Sequence, residues 1–210
     1  MKLLIVSATG AEIAPFLKGN AGARDQGAEV LITGVGIAAT VYRLTKALEK
    51  GAYDLVINAG IAGSFSRDLP LGEVVQVVSD GFGDLGAENG EEFLDIFELG
   101  LAGAGTPPFE NGMLRNSFRV KGLPEAAGIT VNTVHGEETR IRKTLARLSP
   151  GVESMEGAGF FYVCMSEGQK CLQVRAISNY VEKRNRENWN IPLAVNNLNH
   201  TLIKLAHDMA

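Results

Sequence analysis

Short apolar runs rich in Val, Ile and Leu recur at Leu3–Val6, Glu29–Thr33, Asp54–Asn58, Glu73–Ser79, Gly128–Val134 and Gln173–Ile177, most of them bounded by Gly, Asp or Ser. Runs this short, without polar alternation, predict strands buried on both faces. Between them the period of the pattern changes. Ile37–Lys50 sets Ala38, Val41, Leu44, Thr45 and Leu48 along one helical face and stops at Gly51, a residue suited to ending a helix. Thr139–Leu148 carries Ile141, Leu145 and Leu148 on one side, and Ile191–Ala206 carries Leu193, Val195, Leu198, Leu202 and Leu205. Met155–Glu167 is almost wholly apolar or small up to Gly168, which predicts a helix buried all round. Strands alternating with helices predict an α/β fold, a three-layer α/β/α sandwich around a central, mixed but mostly parallel, twisted sheet. Ligands of such folds sit at the carboxyl ends of the strands.

The stretch 81–116 breaks the pattern with Gly, Pro and acidic residues and no strong period. An excursion of that length predicts a functional or subunit-contact segment inside one domain spanning 1–210. Hydrophobic content of 45% and charged content of 21% are globular values. A formal net charge of −4 without any basic block argues against nucleic acid or an anionic membrane as partner. The apolar start at Leu3–Val6 is too short for a signal peptide, and no apolar run is long enough to span a bilayer, so a soluble, cytoplasmic protein is expected. Cys164 and Cys171 lie in apolar surroundings and read as buried thiols, and the three His residues lack ligand spacing, so no metal is expected.

No cofactor is expected either. Gly34-Val35-Gly36-Ile37-Ala38-Ala39 has the form of a dinucleotide fingerprint, which requires an acidic residue closing the next strand to hold a ribose. Asp54 falls at the right count but opens that strand, so the glycines read as a tight turn with close helix packing. The remaining strand ends deliver small residues and little strong polar chemistry beyond Glu12, Glu156 and Asn179. Glu12 alone reads equally as a first-turn carboxylate favouring a helix N-terminus, Asn179 as a helix cap, and Glu153 as a surface charge. Glu156 differs, because it precedes Gly157-Ala158-Gly159-Phe160-Phe161, and a carboxylate on a helix with scarcely any polar face must be paired, hydrogen-bonded or facing a cavity.

Taken together, Ala8-x-x-x-Glu12, Asn58-Ala59-Gly60-Ile61-Ala62-Gly63, Leu71-Gly72-Glu73-Val74-Val75, Ser154-Met155-Glu156 and Val174-Arg175-Ala176-Ile177-Ser178 resemble the nucleoside phosphorylase/hydrolase superfamily over nearly the whole chain. Within it they resemble the nucleosidases that cleave 5′-methylthioadenosine and S-adenosylhomocysteine. One position departs from those nucleosidases, which carry Asp where this chain has Asn179. Ser178-Asn179-x-Val181 and the following Arg184-Asn185-Arg186-Glu187-Asn188-Trp189 look like the futalosine hydrolase family, whose reaction removes hypoxanthine in the menaquinone branch from chorismate.

The resemblance implies a small-molecule nucleoside as partner, a homo-oligomer, and a set of roles. Glu12 would be the general base for water attacking C1′, and Glu156 would accept from the ribose hydroxyls with Met155 packed on the sugar. Ile61, Arg175 and Ser178 would shape the base pocket. Asn179 would read the base, since one amide can accept from N7–H and donate to a C6 carbonyl. Trp189 with Arg184 or Arg186 would take a benzoate-like 5′ group, or else form a solvated surface loop. An adenine-releasing nucleosidase, a purine nucleoside phosphorylase and a non-catalytic nucleoside-binding module are the rival readings.

Overall fold

Every position of β1 (Leu3–Ser7) is buried, and its side chains divide between two cores, Leu3 and Ile5 on one face, Leu4 and Val6 on the other. An apolar strand without alternation has no other stable placement. The computed structural model describes residues 1–19 and 28–209. After β1 come α1 (Ala14–Gly19), β2 (Ala28–Ile32), α2 (Ile37–Leu48), β3 (Leu55–Ser64) and β4 (Val74–Asp80). A small hairpin β5 (Gly86–Asn89) and β6 (Glu92–Asp95), then β7 (Leu114–Arg115) and β8 (Glu125–Thr130), lead to α3 (Glu138–Leu148) and β9 (Val152–Ser154). The chain ends with α4 (Gly157–Ser166), β10 (Cys171–Tyr180), a 3₁₀ turn at Arg186–Asn188, and α5 (Ile191–Asp208).

Helices cover both faces, as the pattern predicts. α5 lays Ala194, Leu198, Leu202 and Leu205 with Phe16 of α1 against Leu3, Ile5, Ile57 and Val174. On the other face Leu44 of α2 and Ala158, Phe160, Phe161 and Val163 of α4 meet Leu4, Val6, Val56 and Val75. Each fully buried Leu, Ile or Phe contributes about 1.5–3 kcal/mol over its exposed state, so the two cores dominate stability. Among the described residues no helix is long and apolar enough to cross a membrane.

The sheet is mixed and closes on itself. β3, β10, β4, β8 and β9 form a ring, with β1 and β2 extending from β3 and β7 pairing β4. Two ten-residue strands make this possible. β3 runs parallel to β1 and β10 for most of its length, then offers Gly63 and Ser64 to β9 in antiparallel pairing.

Several boundaries depart from the sequence pattern. Asn58-Ala59-Gly60-Ile61-Ala62-Gly63 reads as a turn closing a strand, but the chain continues as β3, because neighbours on both sides take up its backbone groups. β10 likewise runs through Ser178 and Asn179, with a bulge between Ile177 and Asn179 that re-aims the side chains at its end. The strand expected at Gly128–Val134 lies at Glu125–Thr130. The buried helix starts at Gly157, not Met155, since Val152–Ser154 is drawn into the sheet as β9. The excursion 81–116 contains the hairpin and β7.

Gly157 opens α4 directly against the fully buried Asp80, and a Cβ there would overlap Asp80 Oδ2 and Gln173 Nε2. Gly157→Ala is therefore expected to destabilise the fold by about 2–3 kcal/mol through overpacking, despite the better helix propensity of Ala. Urea unfolding checks this, and a wild-type midpoint would mean that Asp80 can move aside.

Candidate active site

The turn after β1 brings Glu12 back over the strand that precedes it. Its Oε2 accepts from Thr9 N at 3.0 Å, Thr9 Oγ1 at 2.8 Å and Ser7 Oγ at 3.4 Å. Among the described residues its Oε1 accepts only from Ile61 N of β3, at 3.2 Å. Two Thr9 donors hold one carboxylate oxygen, with the Ser7 hydroxyl shared between it and the nearer Thr9 O, while among the described residues the other oxygen keeps a free lone pair, an arrangement suited to an oriented base.

Directly beneath, Gly60 lets two charged groups converge. A Cβ there would lie 3.0 Å from Glu12 Oε1 and 3.2 Å from Arg175 Nη1. Arg175, paired in register with Gly60, is 1% exposed. It donates through Nη2 to Asn58 Oδ1 and through Nη1 to Val174 O. Burial lowers its pKa, opposed by the charges of Glu156, Glu12 and Asp80. The sequence offers Arg175 either as part of the base pocket or as the partner of a buried carboxylate, and its burial among the charges of Glu156, Glu12 and Asp80 fits the second.

Glu156 caps α4 at 9% exposure and accepts at Oε1 from Gly36 N, 3.0 Å away. Gly36 has a φ of 95°, a conformation that favours glycine, so the fingerprint-like turn serves to aim an N–H at a carboxylate. Burial raises the Glu156 pKa, offset by Arg175 and Gly36 N–H. Met155 beside it is half-buried.

At the end of β10, the single Ser178 hydroxyl proton has Asn179 Oδ1 as its nearer acceptor at 2.8 Å and Ala62 O as the alternative at 3.2 Å, and Asn179 Nδ2 donates to Tyr180 O at 3.1 Å. The Asn179 amide is thereby fixed with one lone pair and one N–H uncommitted. The loop that follows returns to this strand through Asn190 N to Ser178 O at 2.8 Å. It stacks Arg184 and Arg186 on the half-buried Trp189, with guanidinium carbons 5.0 and 5.9 Å from the ring centroid. Both arginines are exposed, and neither bonds to Glu12, Glu156 or Asn179.

Two buried acids escape the sequence reading. Glu153 is not a surface charge: it is 4% exposed, because β9 places it in the sheet, and it accepts from His135 N at 3.0 Å and meets His135 Nδ1 at 2.6 Å. Asp80 is fully buried, accepting from Thr130 Oγ1 and Gln173 Nε2, each at 2.9 Å. Thr130 Oγ1 in turn accepts from Ala158 N at 2.6 Å in the first turn of α4. The sequence signal for Asp80 is a carboxylate ending a Val-rich strand. A cavity of about 660 Å³, lined by Ile37, Val41, Tyr42, Phe82 and Leu85, lies on α2 and touches none of the predicted site residues.

Residues 15–207 match the family model described as the phosphorylase superfamily. The futalosine hydrolase of Acidothermus cellulolyticus is 33% identical, over 98% of this chain and 90% of its own length. The chain belongs to the futalosine hydrolase family. Two solved structures share the fold of this futalosine hydrolase family member over its entire length. Helicobacter pylori futalosine hydrolase superposes with a TM-score of 0.81 at 16% identity, covering 98% of that chain. The 5′-methylthioadenosine/S-adenosylhomocysteine nucleosidase of the same organism, bound to an immucillin, gives 0.80 at 17% and 99%.

Desolvation pushes the Asp80 carboxyl up to about 6 from its ordinary 3.8, against the lowering effect of Gln173, Thr130, Arg175 and Gly81. An acid with a raised folded pKa contributes stability that is present below its unfolded pKa and is lost as pH rises through about 6. Between about pH 5 and pH 8 the loss amounts to roughly 1–1.5 kcal/mol. Urea titrations of wild type and Asp80→Asn at those two pH values are expected to show the wild type losing that much relative to the variant. Parallel pH dependences would rule Asp80 out as the source.

Proposed function

We propose that this chain hydrolyses the N-glycosidic bond of futalosine, releasing hypoxanthine, a step of menaquinone biosynthesis in the cytoplasm. The observation that carries the reading is the Asn179 amide, fixed by Ser178 and Tyr180 with one acceptor and one donor free. That pair complements N7–H and O6 of a 6-oxopurine. The relatives from Acidothermus cellulolyticus, Streptomyces coelicolor and Thermus thermophilus, all futalosine hydrolases, support the same substrate.

In this mechanism Glu12 Oε1, the oxygen with an uncommitted lone pair, orients water and takes its proton as the oxygen bonds to C1′. Glu156 accepts from the ribose hydroxyls, with Met155 against the sugar, while Ile61 N–H and Ser178 hold Glu12 and Asn179 in place. Trp189, Arg184 and Arg186 form an aromatic and cationic cluster suited to the benzoate-like 5′ end. A second copy of the chain covers the apolar cavity on α2, to which Phe82 and Leu85 of the excursion 81–116 contribute.

Incubation with futalosine, its 6-amino analogue and methylthioadenosine tests the reading, with hypoxanthine from futalosine as the preferred product. Preferential release of adenine would instead make the chain an adenine nucleosidase. Glu12→Gln is expected to lower kcat by ~10²–10⁴-fold, about 3–5 kcal/mol of barrier, and a loss below about tenfold would remove it as base. Glu156→Ala is expected to lose more activity on the riboside than on its 2′-deoxy analogue, and equal losses would refute the contact with the 2′-hydroxyl.

A further inference from the structure

One buried amide near the end of the sequence holds the turn that carries Glu12, and the reaction as described gives it no part. Asn199 lies on the buried side of α5 and is 1% exposed. Its Nδ2 donates to the backbone carbonyl of Glu12 at 2.8 Å, and its Oδ1 accepts from Phe16 N at 2.8 Å. Nδ2 also serves Val195 O of its own helix, 2.6 Å away, so the amide cannot rotate without losing partners.

The two backbone groups it takes are those that would otherwise bond to each other. In a regular helix Phe16 N–H would donate to Glu12 O, and one step along the chain that bond is made, with Leu17 N on Ile13 O at 3.0 Å. At Glu12 the Asn199 amide is inserted into the ladder and replaces one direct bond by two. Glu12 therefore stays outside α1, in a turn from which its carboxylate reaches back to Thr9 N and across to Ile61 N. Winding Glu12 into α1 would swing its Cα–Cβ bond round with the helix and carry the carboxylate off those donors. The helix that supplies the amide is itself fixed to the other end of the site. At its start Asn190 donates its N–H to Ser178 O at 2.8 Å and accepts at Oδ1 from Leu193 N at 3.2 Å.

We propose that Asn199 is a positioning residue, which keeps Glu12 unwound from α1 and so aims it as the base. This rests on the reading of Glu12 as the group that activates water. The hydrogen bonds of Asn199 all go to main-chain groups, so it acts through the place of Glu12 and not on the reacting atoms.

Asn199→Leu removes the amide at similar volume and leaves Phe16 N and Glu12 O free to bond each other. The kcat for hypoxanthine release from futalosine is expected to fall about 10- to 100-fold with KM changed less than about threefold, as for a misplaced catalytic group. In a Glu12→Gln background the same substitution is expected to cost less than about threefold, whereas a general loosening of the fold would act equally in both backgrounds. An unchanged kcat, a loss carried by KM, or a loss that persists in full beside Glu12→Gln overturns the proposal. Should Asn199→Leu fail to fold, Asn199→Ala is expected to behave alike in the same cycle. A crystal structure of the variant is expected to show Glu12 O bonded to Phe16 N and the carboxylate moved off Ile61 N, and an unmoved carboxylate overturns the proposal. A wild type that releases no base from any of the nucleosides refutes the hydrolase reading, while the variant structure still decides whether Asn199 places Glu12.

Discussion

The buried guanidinium of Arg175 is the interaction on which the rest of the site depends. Glu12, Glu156 and Asp80 all feel its charge, and for the buried Glu156 and Asp80 that cation opposes the desolvation that disfavours their ionised forms. Removing one partner of such a cluster leaves the others uncompensated, which typically costs about 3–5 kcal/mol. The balance is deliberately incomplete in its consequences: three acids face one base, so the region around the proposed C1′ position carries excess negative charge. That excess suits a ribose developing positive charge, while burial raises the pKa of both Glu156 and Asp80.

Glycines set how closely these charges can approach. Gly60 lies under Glu12 and Arg175, Gly63 under Asn179 and Glu153, and Gly157 against Asp80, each at a distance that a side chain would close. Gly in a strand interior weakens the strand, yet β3 accepts two of them because the ladders to β10 and β9 hold its backbone. Local weakness is thus exchanged for a site built on strands rather than loops.

Much of this was legible in the sequence. Apolar runs without alternation mark the doubly covered strands, and the apolar surroundings of Glu156 mark it as a buried acid needing partners. Glu12 and Asn179 could be singled out by position, but their hydrogen bonds could not. What stayed hidden has a common cause: it depends on pairings between distant segments. Glu153 looks solvated in Val152-Glu153-Ser154 because nothing local says that three residues will join a ring of strands beside Gly63. His135 lacked any ligand spacing because its partners, Glu153 and Thr144, are acid and hydroxyl rather than metal ligands. Asp80 ends an ordinary strand until Thr130 and Gln173 arrive from two others.

The geometry also separates the electrical demands of the two halves of a nucleoside. Bond cleavage leaves the sugar electron-poor and the base electron-rich, so one uniform field cannot favour both. On the proposed sugar side Glu12 and Glu156 outnumber Arg175. On the proposed base side the chain presents the neutral amide of Asn179 rather than a carboxylate. A carboxylate at position 179 would add negative charge where electrons must accumulate, unless it arrived protonated. An amide removes that condition at the expense of a proton donor.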